Sequence, residues 1–275
     1  MQEISGEARE RLLKIFDAVN QWRAWTGTAP PAPATGSSLA KDDEVTAPYQ
    51  ISHAVAGAMV SAVDHLDAVR ALVQDAQVLH ARAPYTLLRA ALENAATAVW
   101  LLAPANRNER VLRRLRLQWA DVRDGQKAHR EVGIEPAPSQ AGWQAKIEAV
   151  AHARGLAEEQ VRDVTRKNVT YSEIVKTAGA EARNVDPVMR HALFCWMISS
   201  GIAHAKPWAV LSAVLDRKVV PEVKDPSASQ LGLRLSASDD AVTVIAGFAA
   251  SMASEGWRLL DERRTGPSAT RPGGY

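Results

Sequence analysis

Pro84–Leu102 reads PYTLLRAALENAATAVWLL, and the fold class turns on how this stretch is read. Pro84 stands where a first-turn proline belongs, because the amide it lacks would have no intrahelical partner there. Ala, Leu and Glu then run without a breaker until Pro104, which predicts one long helix ending at Leu102. Arg89, Glu93 and Asn94 lie inside this otherwise apolar segment, with Arg89 and Glu93 four residues apart on one helix face. A segment this apolar is buried on most sides, and part of the polar patch is buried with it. Buried charge is costly unless it is paired and hydrogen-bonded. Arg89 and Glu93 are therefore expected to bond each other or polar groups on a neighbouring helix. The plain reading is an ion pair that fixes helix register; the functional reading is a polar cluster lining a cleft, opposite His204.

The flanking sequence keeps the helical period. Ile51, Val55, Met59, Val63, Leu66, Val69 and Val73 step by three or four residues, predicting a helix over Pro48–His80. Glu7–Trp25 has one apolar face, built from Leu12, Leu13, Ile15, Phe16, Val19 and Trp22. Asn106–Arg130 is a third long helix, stopped by Gly133 and the Pro136/Pro138 pair. Shorter helices are predicted over Gln140–Arg154, Ala157–Val164 and Tyr171–Ala178, the last capped by Thr170. Asp186 and Pro187 open another helix, which Pro207 breaks before a resumption through Leu215. A final helix spans Asp239–Arg263. Only the region 217–237, with VVPEV and LGLRL around KDPSAS, reads as a hairpin or exposed arm. The expected fold is all-α, a bundle of seven or more helices with at most one small β-hairpin near 217–237. By segments, 1–26 is an N-terminal helix, 27–45 a flexible Pro- and Ala-rich linker, 46–263 the bundle, and 264–275 a disordered tail.

Bulk composition agrees with that expectation and removes several function classes. Apolar residues are 47% of the chain, enough for a large core, while three Phe and four Tyr leave little of the aromatic material strands favour. Lys and Arg number 33 against 31 acidic residues, so no global field draws the chain to nucleic acid or a membrane surface. Cys195 is the single cysteine, which rules out an intramolecular disulfide and a multi-cysteine zinc site. The longest apolar run, Ala95–Ala105, falls short of the roughly 18–20 residues a membrane span needs. The opening MQEISGEARERLLKIFDAV carries charges throughout, unlike a signal peptide. A cytoplasmic protein with no membrane partner is expected.

Three constellations bear on chemistry. In Arg190–Lys206, RHALFCWMISSGIAHAK, Ser200 and His204 share a helix face, the beginning of a nucleophile–base pair. Such a pair also needs an orienting acid and an oxyanion hole, and a regular helix hides the hydroxyl. The small residues at 199–201, 203 and 205 more often mark a close helix–helix approach. His204 also falls where Pro207 must end the helix, so its imidazole is placed to bond the last carbonyls. The second constellation is the Arg89, Glu93 and Asn94 patch, with Tyr171 as a further group that a cleft would bring to it. The third is Asn106–Arg130, with eight Arg/Lys (107, 110, 113, 114, 116, 123, 127, 130) against three Asp/Glu (109, 121, 124). A basic helix can track phosphates, which makes Arg110 and Arg114 candidate binding residues, although charge all round a helix usually marks a solvated face. Histidines 53, 65, 80, 129, 152, 191 and 204 form neither an HxxxH nor an HExxH pattern, and neither a metal nor a cofactor is expected.

VDHLDAVRAL (Val63–Leu72), PYTLLRAALENAATAVWLL and SSGIAHA (Ser199–Ala205) together resemble a group of mostly actinobacterial all-helical proteins. In that group an R-x3-E helix is followed far downstream by an S-x3/4-H helix. The group is in turn similar to HEPN domains, the helical bundles of RNase toxins and defence systems. The resemblance spans Pro48–Leu215 at sparse positions. It implies a homodimer with an R-x4-6-H site at the interface, where arginine polarises the scissile phosphate and histidine supports attack by the RNA 2′-hydroxyl. His204 matches that histidine, while the arginine positions hold Met197, Ile198 and Ser199; Arg89, from another helix, is the charge that could stand in. With that set incomplete, the leading expectation is a non-enzymatic, homodimeric HEPN-like module that binds a protein partner or small ligand. The alternative is a metal-independent endoribonuclease of toxin or phage-defence type, acting on RNA.

Overall fold

The computed structural model describes residues 6–27, 32–182, 186–212, 214–219 and 233–265. The described residues form an all-α bundle with one small hairpin. In chain order the first helices are α1 (Gly6–Thr26), α2 (Ser38–Thr46) and α3 (Ile51–Arg70), the last running on through a π-turn at Ala71–Asp75. Then come α4 (Ala83–Leu102), α5 (Arg107–Glu131), α6 (Gln140–Ala153), α7 (Glu158–Arg166) and α8 (Tyr171–Ala182). A 3₁₀ turn at Pro187–His191 leads into α9 (Ala192–Ala203) and the short α10 (Pro207–Val210). Strands β1 (Leu215–Val219) and β2 (Leu233–Ala237) pair antiparallel, with Leu215 opposite Ala237, before the terminal helix α11 (Asp239–Arg264). No helix among the described residues is long and apolar enough to cross a membrane.

Helix α4 is central because the second half of its sequence leaves no face for water. From Ala95 to Leu102 every side chain is buried, and α3, α8, α9 and α11 pack around it. A helix that is apolar all round can be stable in water only when enclosed in this way. Alanines on α4 bring its neighbours close: a Cβ built on Gly256 of α11 would meet Ala98 Cβ at 3.5 Å and Met59 Sδ at 2.8 Å. Fully buried leucines such as Leu88, Leu92 and Leu101 each contribute about 2 kcal/mol through lost apolar exposure. A second, smaller core joins the outer part of α5 to α6 and α7 through Leu115, Trp119, Ile147, Val161 and Val164. Trp119 fits there because its indole N–H donates to the Thr165 carbonyl at 2.9 Å.

The structure departs from the sequence reading at three places. Residues 38–45, read as the end of a linker, belong to helix α2: Ser37 Oγ accepts the Ala40 amide at 3.1 Å as a cap, and Leu39, Asp42 and Thr46 are buried. The chain before it is tied down as well, since the Ala34 amide donates to the Arg264 carbonyl at 2.8 Å. The helix expected to reach His80 ends after the π-turn, where Gln77 takes a positive φ of 52°. Beyond Pro207 the helix resumes for only one turn, and Leu215 already belongs to β1. The centre of the 217–237 arm, and residues 266–275 of the tail, lie outside the described residues.

Candidate functional site

The N-terminal half of α4 carries Arg89 and Glu93 one turn apart, and Arg89 Nε donates to Glu93 Oε1 at 2.9 Å. Helix α9 lies against this pair and adds two groups. Trp196 Nε1 donates to the same Glu93 oxygen at 2.6 Å, and the Arg89 guanidinium stacks over the Trp196 ring at 5.4 Å. At the end of α9, His204 Nε2 lies 3.4 Å from Arg89 Nη1. A guanidinium has only donors, so a hydrogen bond here requires Nε2 as the acceptor. The side chains of Arg89 and Glu93 are 25% and 13% exposed, half-buried rather than enclosed.

His204 is exposed and ends the helix through its backbone. The Ala205 amide donates to the Ile202 carbonyl at 3.1 Å and the Lys206 amide to the Gly201 carbonyl at 2.8 Å, with Ala205 at a φ of 52°. This is a Schellman closure, so backbone amides satisfy the carbonyls that the imidazole was expected to cap. Ser200 does not pair with His204: the imidazole points to Arg89, and no hydrogen bond joins it to the hydroxyl. The pair therefore lacks the geometry of a nucleophile and its base. The small residues are explained by packing, since a Cβ on Gly201 would stand 2.5 Å from Ala209 Cβ and 2.9 Å from the Trp208 ring of α10. Burial pushes the Cys195 thiol up to about 11, which leaves it protonated and unreactive at neutral pH.

The first half of the basic helix α5 turns its arginines inward, while Lys127 and Arg130 near its end are exposed. Arg110, a candidate phosphate contact, is 2% exposed and spends all its donors inside the fold. Its Nε and Nη2 grip the two oxygens of the fully buried Asp42 at 2.6 and 2.9 Å. Nη2 also reaches Ser38 Oγ, and Nη1 takes the Pro104 and Ala105 carbonyls. Arg107 adds a second contact to Asp42, Arg113 bonds Glu109, Glu181 and the Trp100 carbonyl, and Arg123 bonds Asn168. These are pins between elements, not a track for phosphates.

Arg114, Asn94 and Tyr171 come together elsewhere, lining a cleft of about 430 Å³ between α3, α4, α5 and α8. Partial burial, with the nearby Glu93 carboxylate, raises the half-exposed Tyr171 hydroxyl above its ordinary value. The site residues thus divide into an Arg89–Glu93–His204 cluster and an Arg114–Asn94–Tyr171 cleft. Among the described residues no group of three or more His, Cys, Asp and Glu side chains is placed to hold a metal ion.

Two features were not read from the sequence. Trp196 donates its N–H to Glu93 from 103 residues away, a distance over which the sequence leaves no local signal. Phe194, Met197, Trp208 and Leu211, on consecutive elements beside the cluster, stay 47% to 62% exposed. The α9 segment is apolar on every face, and an exposed remainder was the signal available for them. Compared with family models, with curated proteins and with solved structures, the chain matches none.

Proposed function

We propose that the chain is a non-enzymatic, HEPN-like helical module that docks a protein on the outer face of α9 and α10, with a second copy of the chain as the occupant. The observation that carries this reading is the set Phe194, Met197, Trp208 and Leu211, large apolar side chains held in water on two packed, consecutive elements. Aromatic and methionine side chains are enriched in interface cores, and a two-fold contact needs only one self-complementary patch. The half-exposed Arg89, Glu93 and His204 beside it supply directional contacts at its edge. Sedimentation across the micromolar range tests the reading. A concentration-dependent dimer is expected, reverting to monomer in Phe194→Glu and Met197→Glu, since both side chains point away from the core and neither change disturbs folding. A parent protein that stays monomeric throughout would overturn it.

A metal-independent endoribonuclease is the second reading, favoured by one observation: Arg89 Nη1 and His204 Nε2 stand 3.4 Å apart at the surface. In such a site the guanidinium would polarise a phosphate while the imidazole takes the 2′-hydroxyl proton. Glu93 works against it by occupying and neutralising Arg89. Metal-free RNA cleavage that disappears in a folded His204→Ala variant would establish this reading in place of the first; intact RNA after incubation with the dimer would eliminate it.

A further inference from the structure

Arg114 is only 8% exposed, yet no carboxylate among the described residues bonds it. Its Nε donates to the Gln50 carbonyl at 3.3 Å and its Nη2 to Gln118 Oε1 at 2.8 Å. Nη1 bonds none of the described residues, and the side chain lines the 430 Å³ cleft. Burial lowers Arg114 to about 10, so it remains a cation at neutral pH. The Asp121 and Asp43 carboxylates act on it only from beyond bonding distance, and an anion seated against Nη1 forms charge-assisted hydrogen bonds that neutral groups cannot match.

The same wall of α5 ends in the opposite charge. Gln118 Nε2 donates to Asp121 Oδ2 at 3.5 Å, so one amide links the cation to a carboxylate along the cleft. Asp124, one turn further on, also lines the cleft and has no hydrogen-bond or ion-pair partner among the described residues. Helix α3 lines the cleft with Ala54, Gly57 and Ala58, small residues that leave room for a narrow aliphatic chain, flanked by His53 and Ser61.

We propose that this cleft binds a small zwitterion, its carboxylate on Arg114 and its ammonium at Asp121 and Asp124. Gln118 separates the two ends by an amide and two hydrogen bonds. The ligand's charges are therefore several bonds apart, as in an ω-amino acid or a dipeptide, rather than adjacent as in an α-amino acid. Asn94 also lines the cleft, with one of its two amide N–H groups bonded to the Ala90 carbonyl at 2.9 Å.

Calorimetric titration with δ-aminovalerate and glycylglycine tests the proposal, with valerate and pentylamine as singly charged controls. At least one zwitterion should bind, and each control should bind at least about tenfold more weakly, since each lacks one charge-assisted contact. Asp121→Asn, on an exposed side chain, should weaken binding about tenfold, one charge-assisted contact being lost. Gly57→Leu should abolish binding by filling the cleft, because a Cβ at Gly57 meets nothing within 4 Å and the fold has room for it. No heat from either zwitterion overturns the proposal. So does valerate binding as tightly as δ-aminovalerate, or affinity unchanged in both Asp121→Asn and Gly57→Leu.

Discussion

Asp42 is fully buried, and both of its oxygens are taken by arginines that arrive from α5. Arg110 is buried with it, while Arg107 keeps about a third of its side chain in water, 35% exposed. Removing the carboxylate strands a guanidinium with no route to solvent, and stranding a buried charge costs about 3–5 kcal/mol. Asp42→Ala should therefore lose about that much in urea unfolding, whereas Arg107→Ala should lose under about 1 kcal/mol, as exposed pairs do. Equal midpoints for Asp42→Ala and the parent would show that the buried pair contributes nothing. The Arg89–Glu93 pair is a milder case, because both groups are half-buried. Glu93→Ala deprives Arg89 and Trp196 of their shared acceptor, and a loss of about 2 kcal/mol is expected, with Arg89→Ala costing less. The reverse order in thermal melts would contradict the shared-acceptor geometry. The Arg89–Glu93 bond was legible in the sequence because helical spacing alone puts the two side chains together. The His204 contact spans 115 residues, and the Asp42–Arg110 contact 68, so neither leaves a local signal.

Helices show the same division between local and distant causes. The long periodic runs read correctly because their apolar spacing and caps are local: Asn106 and Ser139 accept amides at the starts of α5 and α6, and Thr170 does so for α8. Helix α2 escaped because it has nine residues, mostly polar, and becomes helical through the burial of Leu39 and Asp42 against other elements. At the end of α9 the chain uses alanine where glycine is the better residue, since Ala205 holds a left-handed φ of 52°. Ala205→Gly should raise stability by about 1 kcal/mol, read as a higher midpoint in thermal unfolding; a lower midpoint would mean that the closure is not strained. Close approach sets a contrast between two glycines. A Cβ on Gly179 would stand 2.6 Å from the Met189 backbone carbonyl, which cannot yield without moving the 3₁₀ turn. The Gly256 conflict is with Met59 Sδ, on a side chain that can change rotamer. Gly179→Ala should thus destabilise by about 1–3 kcal/mol and clearly more than Gly256→Ala; equal losses would count against the packing described between α8 and the turn.

At the scale of the whole molecule, the all-α class was legible because helical periodicity fills nearly every segment, but the division of the core was not. Helix α5 serves both parts: Arg110 and Arg113 pin its beginning to α2, α4 and α8, while Leu115, Trp119 and Val122 build the smaller core with α6 and α7. Its charged residues look alike in the sequence, so nothing local separates the pinned half from the half that carries an outlying unit. The consequence is a difference in local stability. α4 is enclosed by four helices, and its amides open only when the bundle does. α6 and α7 rest on α5, on each other and, for α6, on α2, with few apolar side chains to hold them. Units with less buried apolar surface open at lower free energy than the global transition. Native-state hydrogen exchange should therefore find the amides of α6 and α7 exchanging through a partial opening, at a free energy below that of α4. Trp119→Ala should accentuate the difference, since it removes the largest side chain of the smaller core and the bond to the Thr165 carbonyl. Exchange in α6 and α7 should then quicken while α4 amides keep their relative protection. If α6, α7 and α4 exchange at one common free energy, and the Trp119 variant lowers all three together, the two cores unfold as a single cooperative unit and the division fails.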